Sequence, residues 1–82
     1  MLFLGWVEGD DVDEVPDGPW TDGFVLRPGL LLLRSDHARS EVYHGLKWAV
    51  PEGRALLVAP LAEAPKAKGV ASGLRAWLDG GP

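Results

Sequence analysis

The chain has 82 residues and no cysteine. It is therefore one small domain near the lower size limit for unaided folding, with no disulfide and no four-ligand Cys/His zinc site open to it. Hydrophobic residues at 46% and charged ones at 24% exclude a disordered chain, and the net charge of −4 disfavours nucleic acid as a partner, which needs a strong basic footprint.

Charge is unevenly placed. Residues 1–23 carry seven acids (Glu8, Asp10, Asp11, Asp13, Glu14, Asp17 and Asp22) and no base, whereas residues 24–82 carry eight bases against five acids. An acidic N-terminal stretch thus faces a mildly basic body. Asn, Gln and Ile are missing along with Cys, and the one Met is Met1. This fits a thermostable protein, although a GC-rich genome would leave the same bias toward Leu, Ala, Gly, Pro and Arg. "MLFLGWV" is too short for a membrane span, lacks a basic start and runs straight into acids, so neither a signal peptide nor a membrane partner is expected and the location read from the sequence is cytoplasmic.

Leu2–Val7 reads as a strand, apolar on both faces except at Gly5. "EGDDVDEVPDGPWTDG" follows, and Pro16 and Pro19 forbid a continuous helix or central strand in it. Residues 9–23 are expected to form a long acidic loop. "FVLR" and "LLLLRS" read as two strands around Pro28–Gly29, which suit the central positions of a type II turn; a type II turn fits a tight two-residue hairpin poorly, so a wider corner is also open. A helix ending at Pro51 and Gly53 comes next. Arg54–Leu61 reads as a fourth strand, and "VASGLRAWLDG" as a closing helix with Val70, Leu74, Trp77 and Leu78 on one side.

The expected architecture is a single small α+β domain over 1–82, ordered β-β-β-α-β-α. A four-stranded sheet carries two helices on one face, as a variant of the ferredoxin-like arrangement. Three of the strands are apolar on both faces, and sheets of that kind are normally covered on both sides. The second face therefore needs either the long loop with Trp20 or another subunit, and the acids make the loop a poor lid. A homo-oligomer, most simply a two-fold dimer, is the expectation.

Within the first helix, Ala38, Val42, Leu46, Ala49 and Val50 share the core arc, with Ser35 as N-cap. The opposite arc carries His37, Glu41, His44 and Trp48 at i, i+4, i+7 and i+11, a candidate surface for a protein partner or ligand. His37, Glu41 and His44 could share a divalent metal, since imidazole and carboxylate suit zinc or a related ion. Ser40 and His44 stand one turn apart like a nucleophile and its base, but a Ser inside a regular helix lacks the strained elbow and oxyanion donors that acyl transfer needs. Lys66 and Lys68, ahead of the closing helix, are a candidate anion site. No Walker pattern accompanies them, and the acidic loop does not follow the EF-hand spacing.

A strand ending in acids, followed later by strand–helix–strand in a chain of this size, resembles the small ferredoxin-like CRISPR-associated nucleases of spacer acquisition. That resemblance implies a dimer with metal-dependent phosphodiester cleavage and places Asp10 at the metal. It departs from their pattern at residues 11–23, where Pro16 and Pro19 stand in place of a first helix. Two functions of different class follow. One is a small cytoplasmic module acting by homo-oligomerisation or partner binding, with no cofactor. The other is a metal-dependent hydrolase or nuclease-like enzyme using the acidic loop or the His-bearing helix.

Overall fold

The computed structural model describes residues 1–80. Its elements are β1 (Leu2–Val7), β2 (Asp22–Arg27), β3 (Leu30–Arg34), α1 (Arg39–Ala49), β4 (Leu56–Leu61) and α2 (Leu74–Leu78). This is the expected α+β order. The four strands form one sheet in the order β2-β3-β1-β4, with every neighbouring pair antiparallel. β3 and β4 consequently run parallel with β1 between them, so β3–α1–β4 is a split β-α-β unit of the ferredoxin-like kind. The first helix of a β-α-β-β-α-β chain is absent, and the loop from Glu8 to Thr21 stands in its place.

Strand alternation sorts the side chains into two faces. Phe3, Gly5 and Val7 share the first face with Val25, Leu31, Leu33, Leu56 and Val58 by register. α1 lays Val42 and Leu46 onto that face, and Val50 just beyond its end completes the buried cluster. Each fully buried Val, Leu or Phe contributes about 1.5–3 kcal/mol. Gly5 permits the close approach, since a Cβ there would stand 3.2 Å from the Leu46 Cδ2. Ala38 and Ala49, expected in the core arc, are exposed; the arc is narrower and centres on Val42 and Leu46.

The acidic loop corrects one expectation. It folds back as an ordered lid, and it covers the first face beside α1, not the second. Val12, Val15 and Trp20 pack against the buried cluster, while Asp10, Asp11, Asp13, Glu14 and Asp17 remain exposed. The acids do not spoil the lid because they alternate with its apolar residues and stay in water. Pro19 lies so close to α1 that a Cβ at Gly45 would collide with its ring. The Trp20 indole N–H donates to the Pro16 carbonyl at 2.8 Å, and the Thr21 N–H donates to the Arg34 carbonyl at 2.8 Å.

The second face carries the other correction. Phe24, Leu32 and Leu4 stand opposite one another on it. The Trp77 ring of α2 lies 5.7 Å from the Phe24 ring, so α2 packs on the face away from α1 and the two helices do not share one side. Leu32 is fully buried beneath this half of the face. Only Leu74–Leu78 is helical, shorter than the stretch from Val70 that periodicity suggested, because Gly73 enters the left-handed region at φ 92° and opens the helix late.

Pro28 and Gly29 make the turn between β2 and β3. Gly29 has φ 84°, as the third residue of a type II turn requires, and a Cβ there would meet the Val7 carbonyl oxygen at 2.6 Å. The two-residue connection works because the register shifts between Val25 and Arg27, an irregularity that absorbs the mismatch in twist.

Candidate functional site

The His-bearing stripe is only partly a helix face. α1 begins at Arg39 with Ala38 as N-cap, so His37 lies outside it. The cause is Ser35, which does not cap the helix. Buried at the end of β3, it donates its hydroxyl to the Pro19 carbonyl and accepts the His37 N–H at 3.0 Å. That pair of bonds ties the loop to the β3–α1 junction and delays the helix. Glu41 then takes over the start of α1. Its carboxylate stands 3.0 Å from the His37 Nδ1 and accepts the Ala38 N–H at 3.3 Å. The His37 hydrogen bond first, and the Ala38 N–H second, hold the Glu41 carboxyl below the usual carboxylate value.

His44 is not brought to this pair; its ring sits edge-on to Tyr43 at 5.2 Å. Asp10 lies in the loop near Arg54, and the neighbouring Asp11 forms an ion pair with Arg54. The Arg54 hydrogen bond holds the Asp11 carboxyl below its usual value. Among the described residues, no three His, Asp or Glu side chains gather where they could hold one metal ion. Lys66 and Lys68 are exposed, and Lys66 shares a shallow cleft with Arg75 and Leu78 while Lys68 does not line it.

The structure does assemble one surface that sequence reading did not: the surroundings of β4. This strand ends the sheet, so its outer edge has no partner strand. The Glu8 N–H donates to the Ala55 carbonyl at 2.9 Å. By alternation, Ala55, Leu57, Ala59 and Leu61 turn their backbone groups toward β1, whereas Leu56, Val58 and Pro60 turn theirs outward. Pro60 falls where no ladder N–H is needed. From Ala55 to Ala62 the chain is "ALLVAPLA", with no charge at all.

Exposed apolar side chains collect on both sides of this edge. On the second face, Leu57 is 50% exposed and its register partner Trp6 is 41% exposed. On the first face, Tyr43 and Trp48 stand over Leu56 in a cleft of about 640 Å³ that Lys47, Pro51 and Arg54 also line. Trp48 is 83% exposed. Among the described residues, four of the five large hydrophobic side chains left open to solvent therefore lie on or beside β4, and the fifth is Met1. Trp48 was visible in the sequence as part of the helix stripe. Trp6 and Leu57 were legible as part of the apolar excess of the first and fourth strands and Tyr43 as the edge of the core arc, but nothing local in the sequence joined them to Trp48. Among the described residues no helix is long and apolar enough to cross a membrane. No protein-family model, curated protein or solved structure matches the chain.

Proposed function

We propose that this protein is a small self-associating module whose working surface is the region around the free edge of β4. The observation that carries this reading is the gathering of Trp6, Tyr43, Trp48 and Leu57 about one uncharged strand whose outer edge has no partner among the described residues. Scattered exposed hydrophobics need no explanation, but exposed apolar side chains gathered on both sides of one bare strand edge are a candidate interaction site. Aromatic residues of this type are the usual anchors of protein interfaces.

Covering these four side chains removes on the order of 400 Å² of mostly apolar surface per copy, given about 150–250 Å² for each aromatic. At about 25 cal/mol per Å², that favours association by about 10 kcal/mol per copy before the costs of lost freedom and desolvation. A second copy of the chain suits the surface because the edge carries no charge to repel its own image. Sedimentation velocity across a micromolar dilution series tests the reading. The expected result is a species of two chains that relaxes toward one on dilution. A constant mass of 8.8 kDa throughout would overturn it.

A further inference from the structure

We infer that two copies join by antiparallel pairing of β4 with β4, on a two-fold axis at Leu57, to give one continuous eight-stranded sheet. This rests on the self-association proposed above and specifies its geometry. Three observations support it, and the first of them disfavours the register with its axis at Val58.

The first is the backbone. Leu56 and Val58 are the β4 residues whose N–H and C=O groups both point outward, since the Glu8–Ala55 bond commits the alternate residues to β1. A two-fold axis at Leu57 sets Leu56 opposite Val58 of the second copy and Val58 opposite its Leu56. Each pair then exchanges both of its hydrogen bonds. An axis at Val58 would instead set Leu56 against Pro60, leaving the Leu56 carbonyl facing a residue with no N–H.

The second is the side chains. With the axis at Leu57, the two Leu57 side chains meet on the second face, each already beside its own Trp6. A Trp6–Leu57–Leu57–Trp6 row then crosses the junction and leaves no exposed step. On the other face, the two clefts holding Tyr43 and Trp48 over Leu56 approach the same junction. These side chains supply on the order of half of the roughly 800 Å² per partner that a standard interface buries. The paired backbones and their flanking loops contribute further area.

The third is the contrast with β2, the opposite edge. There the Leu26 carbonyl accepts the Ala71 N–H at 2.8 Å, and the strand begins at Asp22 and ends at Arg27. One edge is blocked by its own chain and by charge, while the other carries neither protection.

Variants at positions 57, 58 and 59 test the geometry. Val58→Pro removes an outward N–H and leaves the ladder to β1 intact, and Val58→Ala, which trims the same core-facing side chain but keeps that N–H, is its reference. Circular dichroism should report a folded chain for both, while the dimer dissociation constant of Val58→Pro exceeds that of Val58→Ala about 100-fold, for two hydrogen bonds lost per dimer. In the chain, which has no cysteine of its own, Leu57→Cys should form a disulfide-linked dimer on mild oxidation. The two Cα atoms would stand about 4.5 Å apart in such a pair, within the roughly 4.4–6.8 Å that a disulfide spans. Ala59→Cys, which falls opposite Ala55, should stay monomeric on a denaturing gel. A dimer that survives Val58→Pro and does not cross-link at position 57 overturns the strand pairing and leaves self-association standing. A monomeric wild-type chain overturns both.

Discussion

The two edges of the sheet are finished in different ways. At β2, the chain returns to guard its own strand. The Ala71 N–H occupies the Leu26 carbonyl, the Arg27 guanidinium donates to the Gly69 carbonyl at 3.1 Å, and Arg34 links Asp22 to the Trp77 carbonyl at 2.9 Å from each. The Arg34 guanidinium also lies 4.1 Å from the centre of the Trp77 ring, a cation–π contact. At β4, no comparable contact is made among the described residues, and of its outward-facing positions Pro60 alone lacks an N–H. Its residues are as apolar as those of β3, but β3 is interior and β4 is not. An apolar strand at an edge is a hazard that proteins ordinarily blunt with charge, a bulge or a covering segment. The proposed self-association rests on this asymmetry between a guarded edge and a bare one.

The largest test of this contrast acts on the guarded side. Trp77→Ala removes the ring that covers Phe24 and the seat of Arg34, and should cost about 3 kcal/mol in denaturant unfolding. If α2 were an incidental tail, the loss would fall below about 0.5 kcal/mol. On the bare side, Leu57→Lys installs the kind of charge that guards natural edges. It should weaken association by at least about tenfold, near 1.4 kcal/mol, with little change in the unfolding free energy of the monomer at high dilution. Equal losses in both measurements would mean that Leu57 serves the fold and not the interface.

A smaller effect probes the loop that replaces the missing helix. Ser35→Ala leaves the Pro19 carbonyl and the His37 N–H without their shared partner, and should cost about 1 kcal/mol. Hydrogen exchange should quicken in the loop before it does in β1. Uniform acceleration across the sheet would instead show that Ser35 supports the core as a whole.

The smallest effect is pH dependence. Asp11 and Glu41 both titrate below their usual values in the folded chain, so the unfolded chain takes up protons first. Their contribution is whole above the ordinary values of 3.8 and 4.5 and is lost as the pH falls through the lower folded values. Stability should therefore hold level from neutrality and decline only in acid. Both groups lie in solvent, so the decline is shallow. The double variant Asp11→Asn, Glu41→Gln should start less stable at neutral pH and show a flatter acid limb. An acid limb as steep as the wild type's would assign the dependence to other carboxyls.

Much of the local structure was legible from residue order because it depends on neighbours along the chain. Pro16 and Pro19 exclude a helix wherever the loop finally packs, and Pro28–Gly29 turns the chain because of the backbone angles those two residues favour. Short apolar runs bounded by Pro, Gly and charged residues marked four strands, and their excess of apolar surface demanded cover for a second face. What the sequence could not say was which segment would provide each cover, since that depends on strand order. Placing β1 between β3 and β4 decides that β4 ends the sheet and that Leu57 stands beside Trp6. It also carries the chain after β4 back across to β2, where Trp77 finds Phe24. Ser35 illustrates the same limit at one residue. Its sequence neighbours made it a helix cap, but Pro19, distant in sequence, claimed its hydroxyl. His37 was thereby left outside α1, and the stripe expected there was cut short. Local propensity determined the elements; contacts between residues far apart in the chain decided which surfaces are covered and which one is left free.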